Sequence, residues 1–184
     1  MIRMSKVCFP REDGNGLSAS WVGDEMDIKS KFRGAWVVPV ALILDRLTKA
    51  WAAGYEGGTR EILPGILGYR YAENTGAAFS IFSGITSIIA VLTAFLIVGV
   101  SLYLFLGKNI PRAARYGLWF VVAGGLGNLY DRIFYGYVVD FFDFLFVDFA
   151  IFNVADICVT CGAVLAIASF LWQDWRGREK HAAR

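Results

Sequence analysis

The sequence predicts an all-α integral membrane fold: four transmembrane helices, with a small β element and an interfacial loop or helix on the extracytoplasmic side. Three observations carry that expectation. Of the 184 residues, 57% are hydrophobic, against the roughly 45 to 50% typical of soluble domains. Four apolar stretches each approach the length of about 20 residues that crosses the hydrocarbon as a helix. Basic residues cluster beside alternate connections, the asymmetry that orients helices in a bilayer. A net charge of +2 with no dense basic face excludes a nucleic-acid binder.

Residues 1–34 are polar, with Gly14, Asn15, Gly16 and scattered charges but no periodicity, so a disordered tail is expected. Within it, "MDIKSKFRG" is a short basic lead into the first span, which makes Met26 a candidate true start. The first span runs from Ala35 to Ala53 and contains Asp45, Arg46 and Lys49. Those charges argue against a cleavable signal peptide, so the span is expected to persist. The second, Ile85 to Gly107, has no charge; the third runs from Ala113 to Tyr130 and the fourth from Phe152 to Trp172. Together residues 35–173 read as one four-helix membrane domain, followed by a basic cytoplasmic tail, 174–184.

Three basic groups mark the cytoplasmic side: Lys29, Lys31 and Arg33; Lys108, Arg112 and Arg115; and Arg176, Arg178, Lys180 and Arg184. Both termini therefore lie inside. The connections from Gly54 to Gly84 and from Asp131 to Ile151 hold only Arg60, Arg70 and Arg132 as basic residues and face outward. In the first, Pro64 and several glycines punctuate short aromatic runs, which predicts short strands resting on the membrane surface. The second, "DRIFYGYVVDFFDFLFVDFAIF", is crowded with Phe and Tyr and is expected to lie in the interface. Cys158 and Cys161 share a helix face and read as small packing residues, and with Cys8 they make no disulfide framework.

The stretch "FNVADICVTCGAVLAIASFLW" places a carboxylate, Asp156, inside an apolar run. An ionisable group at membrane depth costs at least a few kcal/mol unless a partner or a cavity receives it, so its default reading is functional. Depth assignment shows that it has company. Asp45 and Lys49 sit in span one, Asn128, Asp131 and Arg132 at the outer end of span three, and Asn153 and Asp156 at the outer start of span four. Asn74 and Asp140 join them from the outer connections, so the polar groups converge on one leaflet.

The motifs "DRLTK" (Asp45 to Lys49), "ENTGAAFS" (Glu73 to Ser80), "GGLGNLYDR" (Gly124 to Arg132), "VVDF" (Val138 to Phe141) and "FNVAD" (Phe152 to Asp156) stand in an order and spacing that resembles the lipoprotein signal peptidases, the type II signal peptidases of bacteria. The resemblance covers Ala35 to Trp172. It implies an intramembrane aspartyl endopeptidase of the bacterial cell membrane that removes the signal peptide of a diacylglyceryl-prolipoprotein, cutting before the lipid-modified cysteine. By the same resemblance the catalytic aspartates fall on Asp140 and Asp156, and Asn74, Asn128, Arg132 and Asn153 line the substrate groove. Precursors and membrane lipids are the implied partners, a monomer is expected, and no metal or cofactor is. The segment between Asp140 and Asp156 is short for the family and lacks the aromatic-proline approach common before the last motif.

The chemistry of the residues agrees. Two carboxylates that share one proton can activate water and protonate a leaving amine, because their proximity prevents joint ionisation. The sole histidine, His181, lies in the tail, which disfavours Ser-His, Cys-His and His-rich metal systems. Among the outer acids, Asp131 reads as an anchor paired with its neighbour Arg132, and Asp143 and Asp148 read as solvated loop acids. The "YVVDFF" setting of Asp140 gives an apolar wall that raises a carboxylate pKa. Asn153, three residues before Asp156, is placed to orient it. Asp45 and Lys49, four apart, form either a buried ion pair or a direct substrate contact. Asn74 with Gly76 suggests a turn that lets backbone approach extended substrate. A transporter would need polar groups at both leaflets or a repeated half, and a structural subunit would need no convergence of acids.

Overall fold

The computed structural model describes residues 31–54, 58–76 and 86–182. The expectations for the tail up to Lys29, including a start at Met26, and for most of the "GAAFS" stretch lie outside the described residues. Among the described residues seven elements follow in order: α1 (Val37–Ala53), β1 (Arg60–Leu63), β2 (Leu67–Asn74), α2 (Thr86–Leu106), α3 (Arg112–Phe134), β3 (Val138–Phe144) and α4 (Val154–Ala182).

In α1 the buried residues are Val37, Ala41, Asp45, Lys49 and Ala52, a stripe at nearly i, i+4 spacing. Its large apolar side chains, Ile43, Leu44, Leu47 and Trp51, are more than half exposed. Charges inward and hydrocarbon outward is the reverse of a water-soluble helix and suits a lipid solvent. Helix α2 is apolar on every side, yet only Leu104 is buried; Leu92 and Phe95 stand 63% and 72% exposed. Such a surface is stable only against lipid or a partner. By length and apolarity, α2 and residues Val154–Lys180 of α4 are the two described helices able to cross a membrane.

Helices α3 and α4 pack through small residues. A Cβ added at Gly117 would run into the backbone oxygen of Gly162, and one at Gly162 would stand 2.5 Å from the oxygen of Gly117. Such contact lets backbones approach where no hydrophobic drive separates protein from lipid. Arg115 ties the adjoining turn by donating from Nη1 to the Leu104 carbonyl at 2.9 Å, satisfying an orphan acceptor at the end of α2.

The connections after α1 and α3 build one antiparallel sheet in the order β1-β2-β3. Strands in the first connection were expected; β3 was not. Its run "VVDFFDF" is β-branched and aromatic, and β2 offers a free edge, so the backbone finds its hydrogen bonds there rather than in an interfacial loop or helix. The register sets Ala72 opposite Asp140 and Asn74 opposite Val138. Tyr69 locks the sheet to α1, donating its hydroxyl to the Ala52 carbonyl at 2.6 Å with its ring edge-on to Trp51. Two boundaries also move. Helix α3 continues past Tyr130 to Phe134, so Asp131 and Arg132 are helical, and α4 continues past Trp172 through most of the expected tail.

Candidate active site

Strand β3 and the start of α4 are stapled together by backbone. Phe142 donates to the Phe152 carbonyl at 2.8 Å, and Phe152 returns a bond to the Phe142 carbonyl at 3.0 Å. That bridge lies two residues after Asp140 and four before Asp156, and it holds the strand carboxylate and the helix carboxylate in one place.

The start of α4 is a reciprocal cap. Asn153 Oδ1 accepts the Asp156 N–H at 2.9 Å, and Asp156 Oδ2 accepts the Asn153 N–H at 3.0 Å. Two orphan donors of the first turn are satisfied in this way. The motif "FNVAD" is therefore a helix start that also aims a carboxylate. Asn153 is fully buried, and its Nδ2 donates to Asp140 Oδ1 at 2.6 Å as well as to the Val139 carbonyl at 3.2 Å. One amide thus touches both acids. Asp140 also accepts from Asn74 Nδ2 at 2.9 Å, and Asp156 accepts from Asn128 Nδ2 at 2.7 Å.

Asp140 is 2% exposed and its pKa is pushed up to about 7. Burial, which strips water from the charged form, is the main cause; the charge of Asp156 adds to it, and the bonds from Asn74 and Asn153 and the charge of Lys49 oppose it. Near neutral pH both the protonated and the ionised form of this carboxyl are populated.

Behind the pair sits a buried cluster of two acids and two bases. Asp45 and Asp131 each accept from Arg46 at 2.5 Å, while Lys49 stands 3.2 Å from Asp45 and 2.7 Å from Asp131. Asp131 Oδ2 also caps the Val139 N–H at 3.3 Å, and Asp45 Oδ1 caps the Ala155 N–H at 3.2 Å, so the cluster braces the backbone on which both acids stand. Sequence reasoning placed Asp45, Lys49 and Asp131 here but gave Asp131 the wrong partner: its partners are Arg46 and Lys49, not the adjacent Arg132. Neighbours on a helix point about 100° apart, and Arg132 turns toward the Gly76 and Asn128 carbonyls instead. Arg46 itself was missed. A third charge inside the first apolar span was the available signal. Asp143, expected to be solvated, is 9% exposed and pairs with Arg70 at 3.0 Å on the sheet.

Arg132 reaches the same place without a carboxylate contact. Its Nη2 donates to the Gly76 carbonyl at 3.1 Å and its Nη1 to the Asn128 carbonyl at 3.4 Å, while the buried Nε has no hydrogen-bond partner among the described residues. Gly76 is held by its N–H on Asn74 Oδ1 at 2.9 Å, the expected turn. Asn74, Asn128, Arg132, Asp140 and Asp156 line a cleft of about 530 Å³, and Leu96, Ile97, Val159 and Cys161 from α2 and α4 are part of the same lining. A larger groove of about 730 Å³ near Pro111, Trp172 and Arg176 has no carboxylate in its lining, so size does not locate the chemistry.

Residues 37–172 match the profile of a family described as signal peptidase (SPase) II. The lipoprotein signal peptidase of Clostridium novyi (strain NT) is 40% identical over 143 residues, covering 75% of this chain and 96% of that protein. That of Thermosynechococcus vestitus (strain NIES-2133 / IAM M-273 / BP-1) is 38% identical over 148 residues, covering 78% and 91%. A solved bacterial membrane enzyme superposes with a TM-score of 0.70 at 28% identity over 80% of this chain and 91% of that one.

Proposed function

The chain belongs to the signal peptidase II family, and we propose that Asp140 and Asp156 are the pair that carries its reaction. As a member it is a bacterial membrane enzyme, an aspartic peptidase that removes signal peptides from prolipoproteins. The observation that carries the assignment is the Asn153 amide, which donates to Asp140 and accepts from the Asp156 backbone, fixing two carboxyls on one cleft wall. Asp140, with a pKa of about 7, enters as the acid and Asp156 as the base.

Water adds to the scissile carbonyl carbon, Asp156 takes the proton that the water releases, and Asp140 supplies the proton that the leaving nitrogen needs. The C–N bond then breaks to give a carboxyl on the signal peptide and a free amine on the cysteine. The Arg132 guanidinium and the Asn128 and Asn74 amides, which line the cleft, are the donors placed to hold substrate carbonyls along it.

The substrate in this reading is a precursor whose cysteine carries diacylglycerol, cut on the amino side of that cysteine. All four helices span the bilayer, residues 35–173 form the peptidase domain, both termini lie in the cytoplasm and the sheet rests on the outer face. Acyl chains lie against the apolar side chains of the cleft lining and bring the scissile bond to the carboxyls, so the lipid supplies positioning as well as affinity. Purified protein in detergent should cleave a diacylglyceryl-modified precursor at least about 10²-fold faster than the same peptide without lipid. Equal rates would contradict the substrate assignment.

The rate on the lipidated precursor should fall as pH rises through about 7, because ionised Asp140 has no proton to give. A rate that stays flat well above that pH would remove Asp140 from the acid role.

A further inference from the structure

The ammonium of Lys49 has three hydrogens and three acceptors. Asp131 Oδ2 lies at 2.7 Å, Asn128 Oδ1 at 2.9 Å and Asp45 Oδ2 at 3.2 Å. The two carboxylates are already matched in charge by Lys49 and Arg46 together. The third bond adds nothing to that balance, since its acceptor is a neutral amide.

That amide has two sides with different neighbours. Oδ1 of Asn128 receives Lys49 Nζ and, at 3.1 Å, Nδ2 of Asn153; its own Nδ2 is left to donate to Asp156 Oδ1. Turned end for end, the group would set an oxygen against the Asp156 carboxylate and an NH₂ against both the ammonium and the Asn153 NH₂. Without Lys49 the flip is opposed by the neutral bond from Asn153 on one side and by the Asp156 carboxylate on the other; the cation adds a charge-assisted bond on the oxygen side, roughly twice as strong as the one from Asn153.

We propose that Lys49 is a positioning residue for the hydrolysis: its third N–H locks the Asn128 side chain in the orientation that presents a donor to Asp156 and an acceptor to Asn153, whose amide in turn holds Asp140. A cation on α1 therefore reaches both carboxyls through a single amide oxygen while touching neither. An ammonium suits the place because its three donors diverge; a planar guanidinium would not meet these three acceptors. The inference rests on Asp140 and Asp156 being the reacting pair.

The test separates positioning from bracing by comparing two proteins that both lack the Asp131 carboxylate and differ only at Lys49. Asp131→Asn is the reference, and Lys49→Met/Asp131→Asn removes one acid and one base, leaving Asp45 with Arg46. Against the reference, on a diacylglyceryl-modified precursor, the double variant should show a melting temperature no lower, since it pairs one acid with one base again, a KM within about twofold and a kcat at least about tenfold lower. Its alkaline limb should also move to higher pH. Lys49 is the cation that draws down the Asp140 pKa, and the other groups facing Asp140, namely Asp156 of α4, Asn74 of β2, Asn153 and Arg132 of α3, are unchanged between the two proteins. Lys49→Gln/Asp131→Asn, which keeps a neutral donor, should recover part of the lost kcat. A double variant with the kcat and pH profile of the reference overturns the proposal, as does a Gln variant no better than the Met variant, or a kcat loss that follows melting temperature. Asp140→Asn serves as control: if it retains activity, the fault lies in the assignment of the pair and not in Lys49.

Discussion

Asp140→Asn and Asp156→Asn should each lower cleavage of a lipidated precursor by about 10²- to 10⁴-fold, the range that a positioned acid or base contributes. Asparagine keeps the size of each side chain and part of its hydrogen bonding to Asn74, Asn128 and Asn153. What it loses is the exchangeable proton, so membrane insertion and purified yield should stay near those of the parent. Asp131→Asn is the contrasting case. It removes one acid from a buried cluster and leaves Arg46 and Lys49 sharing Asp45, an arrangement in which loss of a partner commonly costs about 3–5 kcal/mol. Its defect should appear first as lower folded yield, with turnover per folded molecule reduced only in part. Near-normal turnover in Asp140→Asn or Asp156→Asn, or a complete turnover defect in well-folded Asp131→Asn, would reassign the pair.

Gly124→Leu should abolish activity by a different route. A Cβ at Gly124 would overlap the backbone oxygen of Ala155 and press on the side chains of Val159 and Cys158. Backbone does not move aside as a flexible side chain does, so the first turn of α4 must shift away from α3. Ala155 donates to Asp45, Asn153 precedes it and Asp156 follows it, so that shift drags the cap and the carboxylate together. Misplacement by about 1 Å is worth about 10²-fold in rate. Even Gly124→Ala should lose about that factor, and the leucine variant should also lose folded protein. Activity of Gly124→Ala equal to the parent would mean that the helices are set further apart than the crossing described here. Thermal melting and cleavage on the same preparations check both outcomes.

Much of the site was legible because hydrocarbon makes charge conspicuous. Asp45, Lys49, Asn128 and Asp156 are polar groups in runs otherwise fit for lipid, and the structure brings them together as that incongruity suggests. The strand β3 was not legible in the same way. Phe and Tyr serve an interfacial loop as well as a strand, and only the presence of the β2 edge decides between them. Asp143 followed from that error, since a loop acid becomes a sheet residue opposite Gly68, within reach of Arg70. Asn153 and Asp156 were correctly paired, but as side chains on one helical face; their spacing is also that of a capping residue and its N3 partner, and this is the geometry found. Arg46 was passed over because its neighbours in sequence explain it too easily.

Asp140 and Asp156 hold one proton between them up to about pH 7. Infrared titration of the purified protein reads that directly, since a protonated carboxyl and a carboxylate absorb separately. One protonated carboxyl should persist from acid to about pH 7 and disappear above it, and Asp140→Asn should remove that band. A band that vanishes near the ordinary carboxylate range, or one that survives Asp140→Asn unchanged, would contradict it.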